Sequence, residues 1–518
     1  MARVLVVGGA GYVGSSACAW LIDHGHRVWV LDDLSTGHRS FLMGDGFTLA
    51  RAGDKKAVKK LLENQTFDCV MHFGAFCLVE ESVKNPAKYF ENNVEQTRAL
   101  IETLLENGVS KFIFSSTCAV FGDPGDQPID ESLAKNPINP YGETKLKVEQ
   151  MLADFARDRR LQAIALRYFN ACGTESKLRV GELHNPETHL IPNVLQAALE
   201  NKPVSVFGND YPTPDGTCVR DYIHVSDLAQ AHEAAMSRLL NLQDANQGHF
   251  EAFNLGTEKG FSVLEILDAC EKAVGKPIQH LYRPRRPGDP PRLVASSKLA
   301  RSELGFTCPE STIEKVVGSA WAWKKKLAAP KKAVFLDRDG TINEDPGYLN
   351  NPDQLKLLPG VGEALAAFKS AGYLLIVVSN QSGVGRGLIE ADELPRIHKR
   401  LDEMLSRWGV QIDDYELCLH KPDEGCACRK PSPKLILDAA KKWNIDLSKS
   451  YMIGDKATDM AAGRAAGVRV ALVRTGDGRG FENLMKSTGA VGADVADFTA
   501  DLLPPIADWI LNQENAGS

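Results

Sequence analysis

The sequence predicts an α/β protein built as two successive doubly wound parallel sheets, the first with a smaller α/β part appended. Three observations lead there. The chain has 518 residues, too many for one hydrophobic core at roughly 100–200 residues per domain. Short apolar runs alternate with amphipathic stretches in both halves, the pattern of strands joined by crossover helices. An apolar strand that opens directly into a polar turn occurs twice, at 4–7 and again at 333–336.

In the first half the strand candidates are 4–7, 28–31, 70–73, 112–114 and 164–166, with helical patterns at 92–105 and 143–157. The second half repeats the rhythm on a smaller scale, with strands at 334–336, 374–378, 451–453 and 470–473. Between them, Lys324-Lys325-Lys326-Leu327-Ala328-Ala329-Pro330-Lys331-Lys332 is charged and contains a helix breaker. This sets a first domain at 1–327, a linker at 328–332 and a second domain at 333–518. A formal net charge of −7 excludes a general nucleic-acid footprint, so anionic ligands must be held by local groups. No apolar run is long enough to span a bilayer, and the first one ends at Gly8-Gly9, too short for a signal-peptide core. Eleven scattered cysteines suit a reducing compartment, and the cytoplasm is the expected location.

The first polar turn reads Gly8-Gly9-Ala10-Gly11-Tyr12-Val13-Gly14. Gly8, Gly11 and Gly14 permit a tight turn and close backbone approach to a pyrophosphate, which then faces the free N–H groups of a helix start. Asp32 ends the second strand, where a carboxylate binds both ribose hydroxyls and repels a 2′-phosphate; this selects NAD over NADP. Further on, Tyr141 and Lys145 stand four apart, so a helix presents both on one face. An ammonium there lowers a phenol's pKa. Ser115-Ser116-Thr117 follows a strand and offers a hydroxyl beside the same substrate oxygen.

With these residues in view, the chain up to about Leu327 resembles the extended short-chain dehydrogenase/reductase family, and within it the UDP-glucose 4-epimerases. The blocks that carry the resemblance are Phe112-Ile113-Phe114-Ser115-Ser116-Thr117, Leu166-Arg167-Tyr168-Phe169-Asn170, Phe207-Gly208-Asn209-Asp210-Tyr211-Pro212-Thr213, Arg220-Asp221-Tyr222 and Pro284-Arg285-Arg286-Pro287-Gly288-Asp289. The resemblance implies a Rossmann domain in which Tyr141, assisted by Thr117, takes the proton of the sugar's 4-hydroxyl while hydride passes to tightly held NAD and back. Lys145 tunes the tyrosine and binds the ribose. Tyr12, Val13, Asp54, Asn93 and Tyr168 join the cofactor site, and Asn170, Arg220, Arg286 and Asp289 bind the nucleotide sugar. Arginine suits a diphosphate through bidentate bonds. The resemblance also implies a homodimer through this domain. Two positions depart from it. Cys77 stands where some relatives have lysine, and Leu293 where some have a bulky tyrosine. The smaller Leu293 leaves room for an N-acetyl group, which extends the expected substrates to UDP-N-acetyl sugars.

The second polar turn reads Asp337-Arg338-Asp339-Gly340-Thr341. Two carboxylates at a strand end, with Gly340 turning the chain, suit a nucleophile and an acid–base group around a divalent cation. Ser379-Asn380-Gln381, Lys430 in Arg429-Lys430-Pro431, and Gly454-Asp455-Lys456-Ala457-Thr458-Asp459 follow in order at strand ends or in loops. Together they resemble the haloacid-dehalogenase (HAD) phosphatase superfamily. That resemblance makes Asp337 the nucleophile and Asp339 the acid–base. It gives Ser379 and Lys430 the phosphoryl group, and magnesium to Asp337, the Asp339 carbonyl and Asp455. Cys418, His420, Cys426 and Cys428 put three thiols and an imidazole within eleven residues, the donor set of a closed structural zinc site. That loop narrows the resemblance to the histidinol-phosphate and heptose-bisphosphate phosphatases. Asp345-Pro346-Gly347-Tyr348 and the run from Ser379 to Gly387 point to the latter, with Arg386 and Arg429 binding the sugar or its second phosphate.

The sequence is therefore expected to encode an NAD-, magnesium- and zinc-dependent bifunctional enzyme. Its expected partners are small molecules, a nucleotide sugar and a sugar phosphate. Two alternatives keep the folds: an epimerase for another nucleotide sugar such as ADP-heptose joined to a histidinol-phosphate phosphatase, or a sensor with one inactive domain.

Overall fold

The computed structural model describes residues 1–518 except 126, 159, 243–246, 287–288, 391, 490–495 and 517–518; Pro287 and Gly288 of the last epimerase-like block lie outside the described residues. The chain divides into two compact units, Met1–Leu327 and Ala328–Ser518.

The first unit's strands are β1 (Arg3–Val7), β2 (Arg27–Asp32), β3 (Gly46–Leu49), β4 (Cys69–His72), β5 (Lys111–Thr117), β6 (Gln162–Tyr168), β7 (Asn170–Cys172), β8 (Val204–Phe207), β9 (Val219–His224), β10 (His249–Leu255), β11 (Gly260–Ser262), β12 (His280–Arg283) and β13 (Arg292–Leu293). Seven form one parallel sheet in the order β10-β6-β5-β4-β1-β2-β3. Its inner strands β1, β4, β5 and β6 are buried on both faces, so they carry apolar runs. In β1, Val4 and Val6 join Val28, Val30 and Ile113 on one side, while Leu5 and Val7 join Leu31, Val70 and Phe112 on the other. The strand order reverses between β1 and β4, the crevice where such sheets bind ligands. A small sheet, β11-β9-β13 with β7 also on β9, and the pair β12-β8 make the appended part.

The second unit carries β14 (Lys332–Leu336), β15 (Tyr373–Asn380), β16 (Asp414–Cys418), β17 (Tyr451–Gly454), β18 (Arg469–Val473) and β19 (Phe498–Ala500). They form one parallel sheet, β16-β15-β14-β17-β18-β19, which reverses between β14 and β17. Val334 and Leu336 face one core, Ala333 and Phe335 the other.

Two expectations need correction. Residues 328–332 are not a free linker. The helix Ile313–Ala328 uses Ala328, Lys331 already bridges to Ile445, and Lys332 opens β14. Lysine, leucine and alanine are good helix formers, so the helix propagates until Pro330 disfavours it at the preceding residue. The helix expected at 92–105 begins earlier, as a π-helical segment Phe90–Glu95 that runs into an α-helix Gln96–Glu106. Asn93 sits in that widened turn, where such bulges often carry function. Among the described residues no helix is long and apolar enough to cross a membrane.

Candidate active sites

The first site starts at the carboxyl end of β1. Gly8 adopts φ +80°, and a Cβ there would strike the backbone of Gly74, so the turn requires glycine. Gly11 precedes the helix Tyr12–Asp23, which no side chain caps. Its first N–H groups are thus left to an anionic ligand, which fits a pyrophosphate. Asp32 at the end of β2 accepts from Ala10 N (2.9 Å) and Leu34 N (2.8 Å), holding the turn with one oxygen and its own loop with the other. Tyr12 donates to Gly173 O (2.6 Å), and Val13 packs against the core below.

Asn139 and Pro140 start the helix Pro140–Arg157. The Asn139 side chain accepts from Gly142 N (2.8 Å), and proline at the first position suits a helix start. A buried pair, Glu149 with Arg167 (2.6 Å), and the Ser116 hydroxyl on Glu149 (2.6 Å) lock this helix to β5 and β6. Tyr141 and Lys145 are thereby fixed one turn apart. The Lys145 ammonium donates to Ser115 O (2.6 Å), and the Tyr168 hydroxyl meets Ser115 Oγ at 2.5 Å. Burial lowers Lys145 to about 8. Burial pushes Tyr141 well up, with Cys77 and Tyr168 adding to the shift and the neighbouring Thr117 hydroxyl opposing it. Burial is the largest influence on this phenol, and it opposes the lowering expected from Lys145. Asn93 clips the loop after β4 to the catalytic helix, bonding Phe76 through both N–H (2.9 Å) and C=O (3.0 Å) and Thr144 Oγ1 (3.1 Å). Asp54, assigned to the cofactor, caps the helix Lys55–Asn64 through Ala57 N (3.0 Å).

The appended sheet gathers the expected sugar-nucleotide residues. Asn170 on β7 donates to Asp221 O (3.2 Å), and Leu293 on β13 is in register with Arg220 on β9. Arg220 pairs with Asp289 and also donates to Val219 O (2.7 Å). Arg286 lies over the Phe207 ring, 4.2 Å from its centroid. Leu293 packs against the cluster of Cys118, Val120 and Phe121 that directly follows Thr117.

The second site lies where the sheet order reverses between β14 and β17. Gly340 has φ +83°, and a Cβ there would meet the Asp455 carboxylate. Asp337, Asp455 and Asp459, all buried, bring carboxylate oxygens within 4.8 Å of one another. Lys430 joins them, 3.0 Å from Asp337 and 2.6 Å from Asp459, and donates to Val378 O (2.7 Å). Burial, then the charge of Asp337, raises Asp455 to about 7; burial also raises Asp459 to about 6. Asp455 Oδ1 is buried without a hydrogen-bond partner. Three carboxylates against Lys430 leave excess negative charge among oxygen donors, which fits magnesium. Asp459 was missed as a member of this group. It sits four residues after Asp455 in the quoted block, and Lys456 N, which donates to it (2.9 Å), starts the helix that turns it inward.

The Asp339 side chain is not in that cluster. Arg338, fully buried, grips it with two bonds (3.0 and 2.6 Å), and Asn343 (2.9 Å) and Gln381 (2.9 Å) complete the cage. Although burial works the other way, Arg338 holds the Asp339 carboxyl below its ordinary value. Gln381 also donates to Ser379 Oγ (3.0 Å). Asn380 clips the Lys430 backbone in both directions (3.0 and 3.1 Å). A cavity of about 450 Å³ opens over Asp337 and Asp459, walled by Ser379, Arg429, Lys456 and Tyr348. Arg386 stands behind Tyr348, donating to its hydroxyl (2.9 Å).

At the end of β16, Cys418 Sγ lies 3.5 Å from Cys426 Sγ and 3.7 Å from His420 Nδ1. Cys428 lies 3.7 Å from Cys426 and 3.3 Å from His420. A tetrahedron of ~2.3 Å zinc–sulfur bonds has edges of ~3.8 Å, so the donor set fits zinc without rearrangement. All eleven cysteines are free.

Residues 4–256 match the NAD dependent epimerase/dehydratase family, and residues 427–498 match a HAD-hydrolase-like family. A UDP-glucose 4-epimerase of Halalkalibacterium halodurans is 45% identical over 324 residues, which cover 62% of this chain and 96% of that protein. The crystal structure of UDP-glucose 4-epimerase from Brucella ovis in complex with NAD superposes with a TM-score of 0.59 at 43% identity, over 62% of this chain and 98% of that one. The UDP-Glc/GlcNAc 4-epimerase of Campylobacter jejuni gives 0.55 at 36% identity, over 63% and 100%.

Proposed function

Through its first unit the chain belongs to the NAD-dependent epimerase family, and from that premise we propose a bifunctional enzyme, a UDP-glucose 4-epimerase joined to a magnesium-dependent phosphatase of heptose 1,7-bisphosphate that releases the 7-phosphate. The observation that supports it is that each unit brings the side chains expected to react together near the ends of its central strands, Thr117, Tyr141 and Lys145 in one and Asp337, Lys430 and Asp459 in the other.

In the epimerase unit, the turn at Gly8, Gly11 and Gly14 would hold the pyrophosphate, and Asp32 and Lys145 the riboses. Bound NAD would supply both the hydride acceptor for the sugar's fourth carbon and a positive ring whose field favours the Tyr141 phenolate. Tyr141 takes the proton of the 4-hydroxyl, Thr117 orients that oxygen, and Tyr141 returns the proton once the keto sugar has turned over. Arg220 and Arg286 bind the diphosphate, which requires Arg220 to exchange Asp289 for phosphate oxygen. Leu293 leaves space for an N-acetyl group, and UDP-N-acetyl sugars are included as substrates.

In the phosphatase unit, Asp337 attacks phosphorus, forming an aspartyl phosphate and expelling the sugar alkoxide, which takes a proton from Asp339. Asp339 then removes a proton from the water that cleaves the aspartyl phosphate, freeing phosphate and restoring Asp337. Caged by Arg338, Asp339 is a carboxylate, ready for the second half; the first half requires it to leave Arg338 and be protonated. Magnesium held by Asp337, the Asp339 carbonyl and Asp455, with Asp459 beside them, would neutralise the phosphoryl oxygens. Arg429 and Lys456 on the cavity wall suit the second phosphate of a bisphosphate. A zinc ion on Cys418, His420, Cys426 and Cys428 would fix the loop that delivers Arg429 and Lys430.

Purified chain should convert UDP-galactose to UDP-glucose without added reductant, and should release one phosphate from heptose 1,7-bisphosphate. Failure of either conversion overturns the corresponding half; faster hydrolysis of histidinol phosphate would replace the second substrate.

A further inference from the structure

Beside the first centre but among none of the residues assigned to it, Glu182, His184, Glu187 and His189 bring four ligand atoms together within 4.8 Å of one another. We propose that this quartet binds a divalent transition-metal ion of the zinc type, which pins the loop at 181–189 beside the glycine-rich turn.

The contact geometry favours a shared ion. His184 Nδ1 lies 3.3 Å from Glu182 Oε1 and 3.9 Å from Glu187 Oε1. His189 Nδ1 lies 2.5 and 3.4 Å from the same two oxygens. A tetrahedral ion with ~2.0–2.1 Å bonds to nitrogen and oxygen sets its donors ~3.3 Å apart, near the mean of these edges. Short as they are, the contacts do not satisfy both sides: His184 Nδ1, His189 Nδ1 and Glu182 Oε1 are buried atoms without a properly directed hydrogen bond. The Glu182 side chain is only 7% exposed. Buried polar atoms crowded together without well-directed hydrogen bonds are costly unless a further group satisfies them.

The frame around the quartet is built to hold its shape. Glu182 O accepts from the Trp323 indole (2.9 Å), and His38 Nε2 is 2.6 Å from Leu183 O. Glu187 Oε1 is oriented by the N–H groups of Thr188 (2.8 Å) and His189 (2.9 Å). Such outer bonds orient metal ligands. Two imidazoles with two carboxylates select zinc, iron or manganese over magnesium or calcium. The quartet also abuts the cofactor turn, since the His184 ring stands edge-on to Tyr12 at 5.9 Å.

The test uses the full chain, stripped with a chelator and titrated with Zn²⁺ against a chromophoric competitor in excess Mg²⁺. The wild type should take up one tight zinc more than the double variant His184→Asn/Glu187→Gln. With Co²⁺ the two proteins should show the same thiolate-to-metal charge-transfer band, so that the ion lost is not the one at the cysteines. Equal zinc uptake by the two proteins overturns the proposal and leaves a protonated His189 clamped between glutamates. Should circular dichroism show the double variant unfolded, His184→Asn alone is read in the same way. Cobalt uptake by the wild type that stops when the thiolate band saturates overturns the proposal with no variant needed.

Discussion

Lys145 and Lys430 are both buried, and both donate to a carbonyl near a strand's carboxyl end, Ser115 O at 2.6 Å and Val378 O at 2.7 Å. Their charges are treated in opposite ways. Lys145 has the Phe114 ring 4.7 Å away and, among the described residues, no carboxylate in ion-pair contact; burial lowers it to about 8. Lys430 is also opposed by burial, but Asp337 and Asp459 at 3.0 and 2.6 Å raise it above its ordinary value. The first lysine's charge has no carboxylate partner among the described residues. The second neutralises carboxylates that sit close together. One site is thus destabilised by its own lysine, the other held together by it.

The largest expected effects separate the two chemistries. Asp337→Asn removes the proposed nucleophile and should lower phosphate release by about 10⁴-fold or more, with epimerisation unchanged, as read by parallel phosphate and UDP-sugar assays. Tyr141→Phe should do the reverse, lowering epimerisation by about 10²–10⁴-fold, the range of a general acid–base group. A variant that lost both activities would show the two centres to be coupled, against the separate sites described above.

Stability sharpens the contrast. Lys430→Met strands Asp337 and Asp459 and should destabilise the second unit by about 3–5 kcal/mol, the cost of breaking a buried pair. Lys145→Met removes an unpaired buried charge and should stabilise the first unit by about 1 kcal/mol, even as activity falls. The pH dependence has a definite sign. Because folding lowers Lys145 from 10.5 to about 8, the unfolded chain binds more protons between these values. First-unit stability should therefore rise with pH across that window, and Lys145→Met should abolish the rise. Lys430, raised by folding, contributes stability that is present below its unfolded value of 10.5 and lost above it. Urea unfolding at pH 7 and pH 10 measures the Lys145 rise, and extending the series above about pH 11 measures the Lys430 loss; the same sign for the two variants would erase the distinction.

How much of this was legible in the sequence follows from how local each signal is. The central strands of both sheets were readable because burial on both faces leaves continuous apolar runs, and the glycine turn and the Tyr141/Lys145 spacing are complete within a few residues. The edge strand β3 and the three-residue β7 lack such runs, and β7 depends on a partner some fifty residues away. Asp459 was in plain view but indistinguishable from a helix-start residue until the fold set it against Lys430. The state of Asp339 was hidden for the same reason, since its adjacent Arg338 reads as a surface charge, yet it is fully buried and grips its neighbour. Nor could spacing reveal how strongly burial raises the Tyr141 phenol, because desolvation depends on the whole pocket.

The most local expected effect concerns how finely the epimerase site chooses its sugar. Leu293 is only partly buried at the end of β13, in register with Arg220, and it packs on the cluster that follows Thr117. A tyrosine there is bulkier at the same strand position, which lies beside Arg220 and near the residues that follow Thr117. Steric exclusion of one extra group from a pocket is worth about 1–3 kcal/mol, or roughly 10–200-fold. Leu293→Tyr should therefore lower kcat/KM for UDP-GlcNAc by at least about tenfold while changing that for UDP-galactose by less than about threefold. Both are read in one competition assay. Because the lysine, tyrosine and threonine are untouched, a parallel loss on both sugars would mean that Leu293 supports the Arg220 strand rather than bounding the sugar pocket. Equal turnover of UDP-GlcNAc by the variant and the parent would remove Leu293 from the choice of substrate.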